Sequence, residues 1–158
     1  MNTNEQLIHT FYTAFAAKDF KTMQQCYADT AVFSDAVFKN LNAAEVKAMW
    51  HMLCESGKDL VVNFSDLSSL GNSVTCRWDA YYTFSLTGKK VHNIIAASFE
   101  IQNGKIVSHV DKFNFWRWSS MALGLSGKLL GWTPFLNKKV SMTAMGNLKK
   151  FMEKNYRS

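Results

Sequence analysis

The sequence lacks the marks of a membrane-spanning, secreted or metal-binding chain. No apolar run reaches the roughly 18 residues that a membrane span needs. The N-terminus has no basic segment followed by an apolar one, so we expect no signal peptide and a cytoplasmic location. Three widely spaced cysteines, an odd number, predict buried free thiols instead of disulfides. The four histidines show no metal-ligand spacing, and we expect neither a metal nor a cofactor.

Charge is also sparse, at 19% of 158 residues, and it is unevenly distributed. Residues 1–118 hold 11 Lys or Arg and 11 Asp or Glu, whereas residues 119–158 hold seven Lys or Arg and one Glu. The neutral body argues against a nucleic-acid partner. A basic C-terminal helix is more often a solvated face, and the alternative is contact with an anionic membrane surface.

The first third of the chain has helical periodicity. Apolar side chains recur at helical spacing over residues 4–17, and Asp19 can cap a second, shorter helix. Asn42 and Glu45 form a capping box for a third helix, and Gly57 suits the position after its end. These signals predict three helices before any long strand.

After Gly57 the apolar period becomes alternating, which predicts strands. The predicted strands are Leu60–Leu67, Val74–Leu86, Val91–Gln102 and Gly104–Trp118. Short turns between them favour an antiparallel meander. We therefore expect an α+β fold, in which a cone-shaped, curved antiparallel sheet wraps around the N-terminal helices and leaves an apolar pocket. Residues 1–118 would form this domain, and residues 119–158 a basic helical extension of it.

The last predicted strand carries an unusual carboxylate. Alternation places His109 and Asp111 on one face, together with Phe113 and Phe115. Burying an Asp among large aromatic rings is costly unless it is paired or protonated. Asp111 is therefore the centre of the candidate site.

These elements resemble the nuclear-transport-factor-2-like superfamily. The resemblance covers residues 4–118 and is carried by Tyr27–Ala28–Asp29, by Phe33–Ser34–Asp35 and by Gly104–Lys105–Ile106–Val107 with Asp111 and Phe113. Its SnoaL-like branch includes ketosteroid isomerases, polyketide cyclases and limonene-epoxide-type hydrolases. The resemblance implies a pocket for a small, mostly apolar molecule, and we expect a homodimer through the outer sheet face. The tail resembles bacterial members of the group through Leu129–Leu130–Gly131–Trp132–Thr133–Pro134, which indicates no activity.

Steroid isomerisation does not fit the residues. Asp35 falls at the family's general base, but Phe11 replaces its oxyanion-stabilising Tyr and Ala97 its protonated Asp. Tyr12 is adjacent to Phe11 but points about 100° away on a helix. Two of the three chemical groups are therefore missing.

Epoxide hydrolysis fits better. The family's Arg-x-Asp pair matches Arg77 and Asp79, and its later Asp matches Asp111. By resemblance Asp111 would be the base that deprotonates water, Asp79 the acid and Arg77 the bridge between them. Alternation places Arg77, Asp79 and Tyr81 on one face.

This sequence departs from that pattern at two positions. Asp35 replaces the family's water-holding Asn, and Phe33 replaces its neighbouring Tyr; His109 could compensate in part. The predicted substrate-contacting residues are Asp35, His109, Tyr81, Phe33, Phe11 and Phe113.

Four alternatives stay open. A polyketide cyclase needs little beyond one base near Asp111. Arg77, Asp79 and Asp111 could instead form a structural ion-pair network. The protein could also bind a lipid-like or polyketide-like ligand without catalysis, or serve as a dimeric scaffold if its own Phe and Trp side chains fill the pocket.

Overall fold

The computed structural model describes residues 1–157, which form six helices and five strands. The helices are α1 (Thr3–Ala16), α2 (Phe20–Gln25), α3 (Ala43–Ser56), α4 (Phe115–Leu123), α5 (Leu125–Leu130) and α6 (Pro134–Asn155). The strands are β1 (Tyr27–Ser34), β2 (Val61–Leu70), β3 (Ser73–Phe84), β4 (Lys89–Gln102) and β5 (Lys105–Lys112). The predicted α+β architecture, a curved sheet with N-terminal helices and a C-terminal helical extension, is confirmed.

Side-chain caps fix where the long helices begin. The side chain of Asn42 accepts the backbone N–H of Glu45, and the Glu45 carboxylate accepts the backbone N–H of Asn42. Asn2 and Glu5 form the same capping box at α1. Each cap satisfies N–H groups that have no partner inside the helix, which is worth about 1 kcal/mol. The third helix therefore begins where the sequence predicts it.

The sheet has the strand order β1-β5-β4-β3-β2. Strands β2 to β5 form the predicted antiparallel meander. Strand β1 pairs with β5 in parallel, which the sequence analysis did not predict, and places Phe33 beside His109 and Ser34 beside Val110. The first and last strands along the chain are thus neighbours in the sheet.

The concave face of the sheet packs on α1 and α3 and is filled by aromatic rings. The largest of them are Phe11, Tyr12, Phe15, Phe33, Trp50 and Phe99, none more than 1% exposed. Ring centroids of Trp50 and Phe15 are 5.0 Å apart. Fully burying one such ring stabilises the fold by roughly 2 to 3 kcal/mol. The space predicted as a pocket therefore holds the protein's own side chains, among which the free cysteines Cys26, Cys54 and Cys76 are also buried.

The predicted strand Gly104–Trp118 is too long. Strand β5 ends at Lys112, and the side chain of Asn114 caps α4 by accepting the backbone N–H of Arg117. A bulge opposite Glu100 and Ile101 also turns Ile106 to the buried face, whereas simple alternation placed it on the other one. The predicted domain boundary after residue 118 falls inside α4.

The C-terminal helices complete the fold. Trp118 of α4 packs with Val91 and Ala122 in a second small core, and its Nε1 donates to the Tyr82 hydroxyl at 2.7 Å. Helix α6 lies on α3 and buries Leu148. No helix within residues 1–157 is long and apolar enough to cross a bilayer.

Candidate functional site

The predicted catalytic residues lie on opposite faces of the sheet. Arg77 is in register with Ala96 of β4, whereas Asp111 is in register with the adjacent Ala97. Adjacent strand residues face opposite sides, so Arg77 lies on the outer face and Asp111 on the inner one. The Arg77 side chain is 48% exposed, and Asp111 is 3% exposed. The prediction that Arg77 bridges Asp79 and Asp111 in one pocket is therefore wrong.

Asp79 instead belongs to an ion-pair network on the outer face. Its Oδ1 accepts from Arg77 Nε at 2.9 Å, and its Oδ2 lies 2.8 Å from His92 Nε2. The Arg77 hydrogen bond lowers the pKa of Asp79 to about 2. Tyr81 stacks on the His92 ring at 4.2 Å. Tyr81, predicted as a substrate contact, thus faces away from Asp111.

The inner face holds a directed chain of buried hydrogen bonds that ends on Asp111. Trp50 Nε1 can only donate, and it does so to the Tyr27 hydroxyl at 2.8 Å. That hydroxyl lies 2.7 Å from Nδ1 of His109, and Nε2 of the same ring lies 2.9 Å from Oδ1 of Asp111. An ionised carboxylate only accepts, so Nε2 carries the proton in this contact when Asp111 is ionised. The chain orients the imidazole ring and the carboxylate.

Asp35 is the second carboxyl group of the inner face. Residues Ser34 and Val110 are paired, and one step further along these parallel strands come Asp35 and Asp111. Burial raises the pKa of Asp35 to about 6, with a smaller contribution from the charge of Asp111. Two backbone N–H groups, those of Val37 and Phe38, donate to Asp35 Oδ1 at 2.7 and 2.6 Å and oppose the rise.

One buried polar atom near Asp111 lacks a partner. The Tyr12 hydroxyl is buried and makes no hydrogen bond with the described chain. The Asp111 carboxylate, in contrast, is approached at Oδ1 by His109 and by Trp78 Nε1 at 3.5 Å. An unpaired buried polar atom costs about 1 to 3 kcal/mol, so such atoms are rare unless a ligand or water satisfies them.

Aromatic side chains surround these groups. The centroid of the His109 ring lies 4.9 Å from Phe33 and 5.8 Å from Phe11. Phe113 is partly buried against the same core. The structure thus brings together four of the predicted contacts, Asp35, His109, Phe33 and Phe11, whereas Phe113 lies at the margin of the core and Tyr81 lies outside.

Sequence reasoning missed three of the polar participants, Tyr27, Trp50 and Tyr12. Tyr27 stood in the motif that indicated the fold, and Trp50 was assigned to the inner face of a helix. Tyr12 was set aside because of its angle to Phe11, yet both rings are buried in the same interior.

The outer face also has a concave region. It is an open depression of about 490 Å³ lined by Arg77, Ile94, Ile95, Ala96, Lys112, Phe113 and Asn114. Within residues 1–157 no three His, Cys, Asp or Glu side chains cluster closely enough to hold a metal ion.

The raised pKa of Asp35 predicts a pH-dependent stability. The folded state holds this proton more tightly than the unfolded state, so the free energy of unfolding falls as pH rises from about 4 to about 6. Asp35→Asn removes the titration and keeps an oxygen for Val37 and Phe38. We expect urea unfolding to show the variant up to about 2 kcal/mol more stable than wild type at pH 8, and nearly equal to it at pH 4.

Asp29→Asn is the matched control, because the Asp29 side chain is fully exposed beside Lys47. It should shift stability little at either pH. A gain for Asp35→Asn of the same size at both pH values would contradict the assignment.

The fold resembles several solved structures. IdmH from Streptomyces antibioticus, a candidate polyketide cyclase, superposes with a TM-score of 0.66 at 19% identity, covering 78% of this chain and 100% of that chain. An LEH-like epoxide hydrolase from M. tuberculosis gives a TM-score of 0.63 at 16% identity, with coverages of 81% and 96%. At these identities the likeness concerns the fold alone.

The sequence comparison is more specific. No curated protein matches the chain significantly. Residues 8–109, more than half of the chain, match the family described as the SnoaL-like domain. This segment runs from α1 to β5 and includes Asp35 and His109, and it ends two residues before Asp111. The chain therefore belongs to the family of SnoaL-like domains.

Proposed function

We propose that the protein is a cofactor-free acid–base enzyme that acts on a small, mostly apolar molecule. The observation that carries the proposal is the pair of carboxyl groups Asp35 and Asp111: Asp111 is buried in β5, and Asp35 directly follows Ser34, the last residue of β1, which is in register with Val110. The chain from Trp50 through Tyr27 and His109 orients one of the two.

The two carboxyl groups suit different halves of a proton transfer. Asp111, held by His109, is the base that takes a proton from a carbon next to a carbonyl group. Asp35, whose pKa of about 6 lies near neutral pH, is the acid that returns a proton to the developing oxyanion. The unpaired Tyr12 hydroxyl is the hydrogen-bond donor to that oxygen. Cyclase-type enolisation needs only these groups.

We keep epoxide opening as a second candidate reaction, with a different residue as the acid. Arg77 and Asp79 lie on the other face, so the acid in such a reaction would be Asp35 instead of Asp79. The likeness to the M. tuberculosis epoxide hydrolase concerns the fold, and it makes epoxides a reasonable part of a substrate panel.

Ligand entry requires aromatic side chains to move. Tyr82 and Phe113 are only partly buried, and each contacts both the main core and the smaller core under α4. A displacement of these two rings would open the interior between the sheet and α4 without unfolding either core.

The filled interior favours one alternative, a dimeric scaffold without catalytic activity. The outer depression between Arg77 and Lys112, with Ile94 and Ala96 at its centre, is the surface we propose for the homodimer. Sedimentation velocity of wild type and Ile94→Asp tests this, because a buried carboxylate at that position would return the protein to a monomer.

A substrate panel tests the enzyme proposal. Wild type is assayed with aromatic and aliphatic 1,3-dicarbonyl compounds, by deuterium exchange at the acidic carbon, and with terpene, styrene and fatty epoxides. Exchange or turnover with a pH dependence near 6, the pKa of Asp35, supports the proposal. An inactive protein that retains an apolar ligand in native mass spectrometry supports the binding alternative instead.

Tyr12→Phe separates a functional hydroxyl from a structural one. The proposal predicts a loss of about 10- to 100-fold in kcat/KM, because a hydrogen bond to the reacting oxygen is removed. The melting temperature should stay equal or rise, since the hydroxyl has no partner in the folded protein. Both quantities are measured on the same preparation.

Tyr156→Phe is the control, because it removes a hydroxyl that accepts from Gln24 Nε2 at 3.0 Å, at the end of α6. It should lower stability by about 1 kcal/mol and leave chemistry at Asp111 intact. A Tyr12→Phe variant that behaves in the same way would contradict the assigned role.

A further inference from the structure

Helix α5 turns its glycines to the protein and its large apolar side chains to solvent, which is the reverse of an ordinary surface helix. Gly127 is buried against α4, where a Cβ would overlap the backbone carbonyl of Ser119. A Cβ at Gly131 would likewise overlap the Ser119 hydroxyl. The glycines thus face the protein, and the large side chains face outward. The leucines Leu125, Leu129 and Leu130 are 72%, 62% and 44% exposed. A surface helix normally buries such residues.

The exposed apolar surface continues beyond α5. Trp132 is 67% exposed, and its Nε1 donates to the carbonyl of Leu129 at 3.0 Å, which holds the ring beside the leucines. Phe135, in the first turn of α6, is 70% exposed. We call Leu125, Leu129, Leu130, Trp132 and Phe135 the apolar ridge. Five such residues within eleven consecutive positions form a patch of the kind that marks an interaction site, unlike single exposed side chains.

Lysines accompany the ridge, and acidic residues do not. Lys128 lies within α5, and Lys138 and Lys139 follow Phe135 by three and four positions on α6. At helical spacing these two flank the exposed row of Phe135 and Met142 on either side. Glu153 is the single acidic residue among positions 119–158, which carry seven Lys or Arg.

We propose that the apolar ridge docks on the surface of a lipid bilayer that carries anionic headgroups. Leucine, tryptophan and phenylalanine side chains would enter the boundary between headgroups and acyl chains, and the flanking lysines would reach the phosphates. A second copy is a poorer occupant, because a symmetric contact would place the same lysines of both copies around one interface. The proposal does not depend on the proposed enzymatic function.

Vesicle flotation tests the proposal. The full chain is mixed with vesicles of phosphatidylcholine alone or with about one quarter phosphatidylglycerol, at low and at high salt. We expect binding to the anionic vesicles at low salt, a loss of about 10-fold or more in affinity at high salt, and weak binding to phosphatidylcholine alone. The emission of the exposed Trp132 should shift to shorter wavelength on binding, and Trp132→Phe should reduce this shift.

Two variants address the two halves of the surface. Leu129→Ser combined with Trp132→Ser removes apolar area, and Lys138→Glu combined with Lys139→Glu reverses charge. Each pair should weaken binding by about 10-fold or more, because each changes two side chains at the bilayer surface. All four residues are exposed, so the melting temperature should change little.

The controls are matched in chemistry. Val61→Ser with Leu70→Ser changes two apolar side chains that are 53% and 86% exposed at the two ends of β2, and Lys21→Glu with Lys58→Glu makes the same charge change elsewhere. Neither should weaken binding as the ridge variants do. The proposal is overturned if wild type does not float at low salt, or if the controls lose binding equally. It is also overturned if the ridge variants alter only the mass in sedimentation, which would identify a second copy or another protein as the occupant.

Discussion

Asp111→Asn is expected to lower kcat/KM by about 100- to 10,000-fold, the usual contribution of a general base. The substituted amide keeps an oxygen that can accept from His109, so the buried chain and the fold should persist. What is lost is the ability to take up a proton at that position. The measurement is steady-state kinetics on whichever panel compound wild type converts, with circular dichroism to check folding.

Asp79→Asn makes the same chemical change on the other face of the sheet. There it weakens the contacts of Asp79 with Arg77 and His92, and we expect kcat/KM to change by less than about 3-fold. Equal losses in the two variants would contradict the separation of the faces, and activity retained by Asp111→Asn would remove the base from the proposal.

The largest structural effect is expected from Gly127→Ala. A methyl group there would overlap the Ser119 carbonyl, which belongs to the backbone of α4 and cannot rotate away. Helix α5 would have to move off α4, at a cost of about 3 kcal/mol. Urea unfolding measures the loss, and near-ultraviolet circular dichroism should change because Trp116 contacts the same junction through its hydrogen bond to Lys128.

Gly146→Ala is the control on the neighbouring helix. No atom lies within 4 Å of a Cβ built at Gly146, in the middle of α6. Alanine should therefore stabilise the protein by about 0.5 to 1 kcal/mol, because it favours the helix. Two glycine-to-alanine changes of opposite sign would establish that close packing, not helix propensity, governs α5. A neutral Gly127→Ala would show that α5 is not held against α4.

Local signals predicted most of the fold. The capping box at Asn42 and Glu45 and the alternation after Gly57 depend on neighbouring residues alone, and both are found. The segment after Lys112 was assigned wrongly, because Phe113 and Phe115 suit the alternation of a strand, whereas Phe115 and Trp118 suit the spacing of a helix. The side chain of Asn114 caps the N-terminus of α4, and the prediction did not use this helix-start signal.

The candidate site was harder to predict from the sequence than the fold, because it depends on the register between strands that are distant along the chain. Residue types in one sequence do not reveal which face of a curved sheet a residue occupies relative to another strand, so Arg77 and Asp111 were placed together by resemblance. Asp35 and Asp111 are brought close by the parallel pairing of β1 with β5, which no local sequence pattern predicts. Because Asp35 and Asp111 are far apart in the sequence, they were not predicted to form a pair.

The same pairing constrains how the protein is made. Strand β1 leaves the ribosome before its partner β5, so the two can join only after all the intervening residues have been synthesised. Contacts between residues so distant along the chain form slowly. Until then the nascent β1, with its Tyr27 and Phe33, has an unpaired edge that chaperones can bind and that aggregation can exploit.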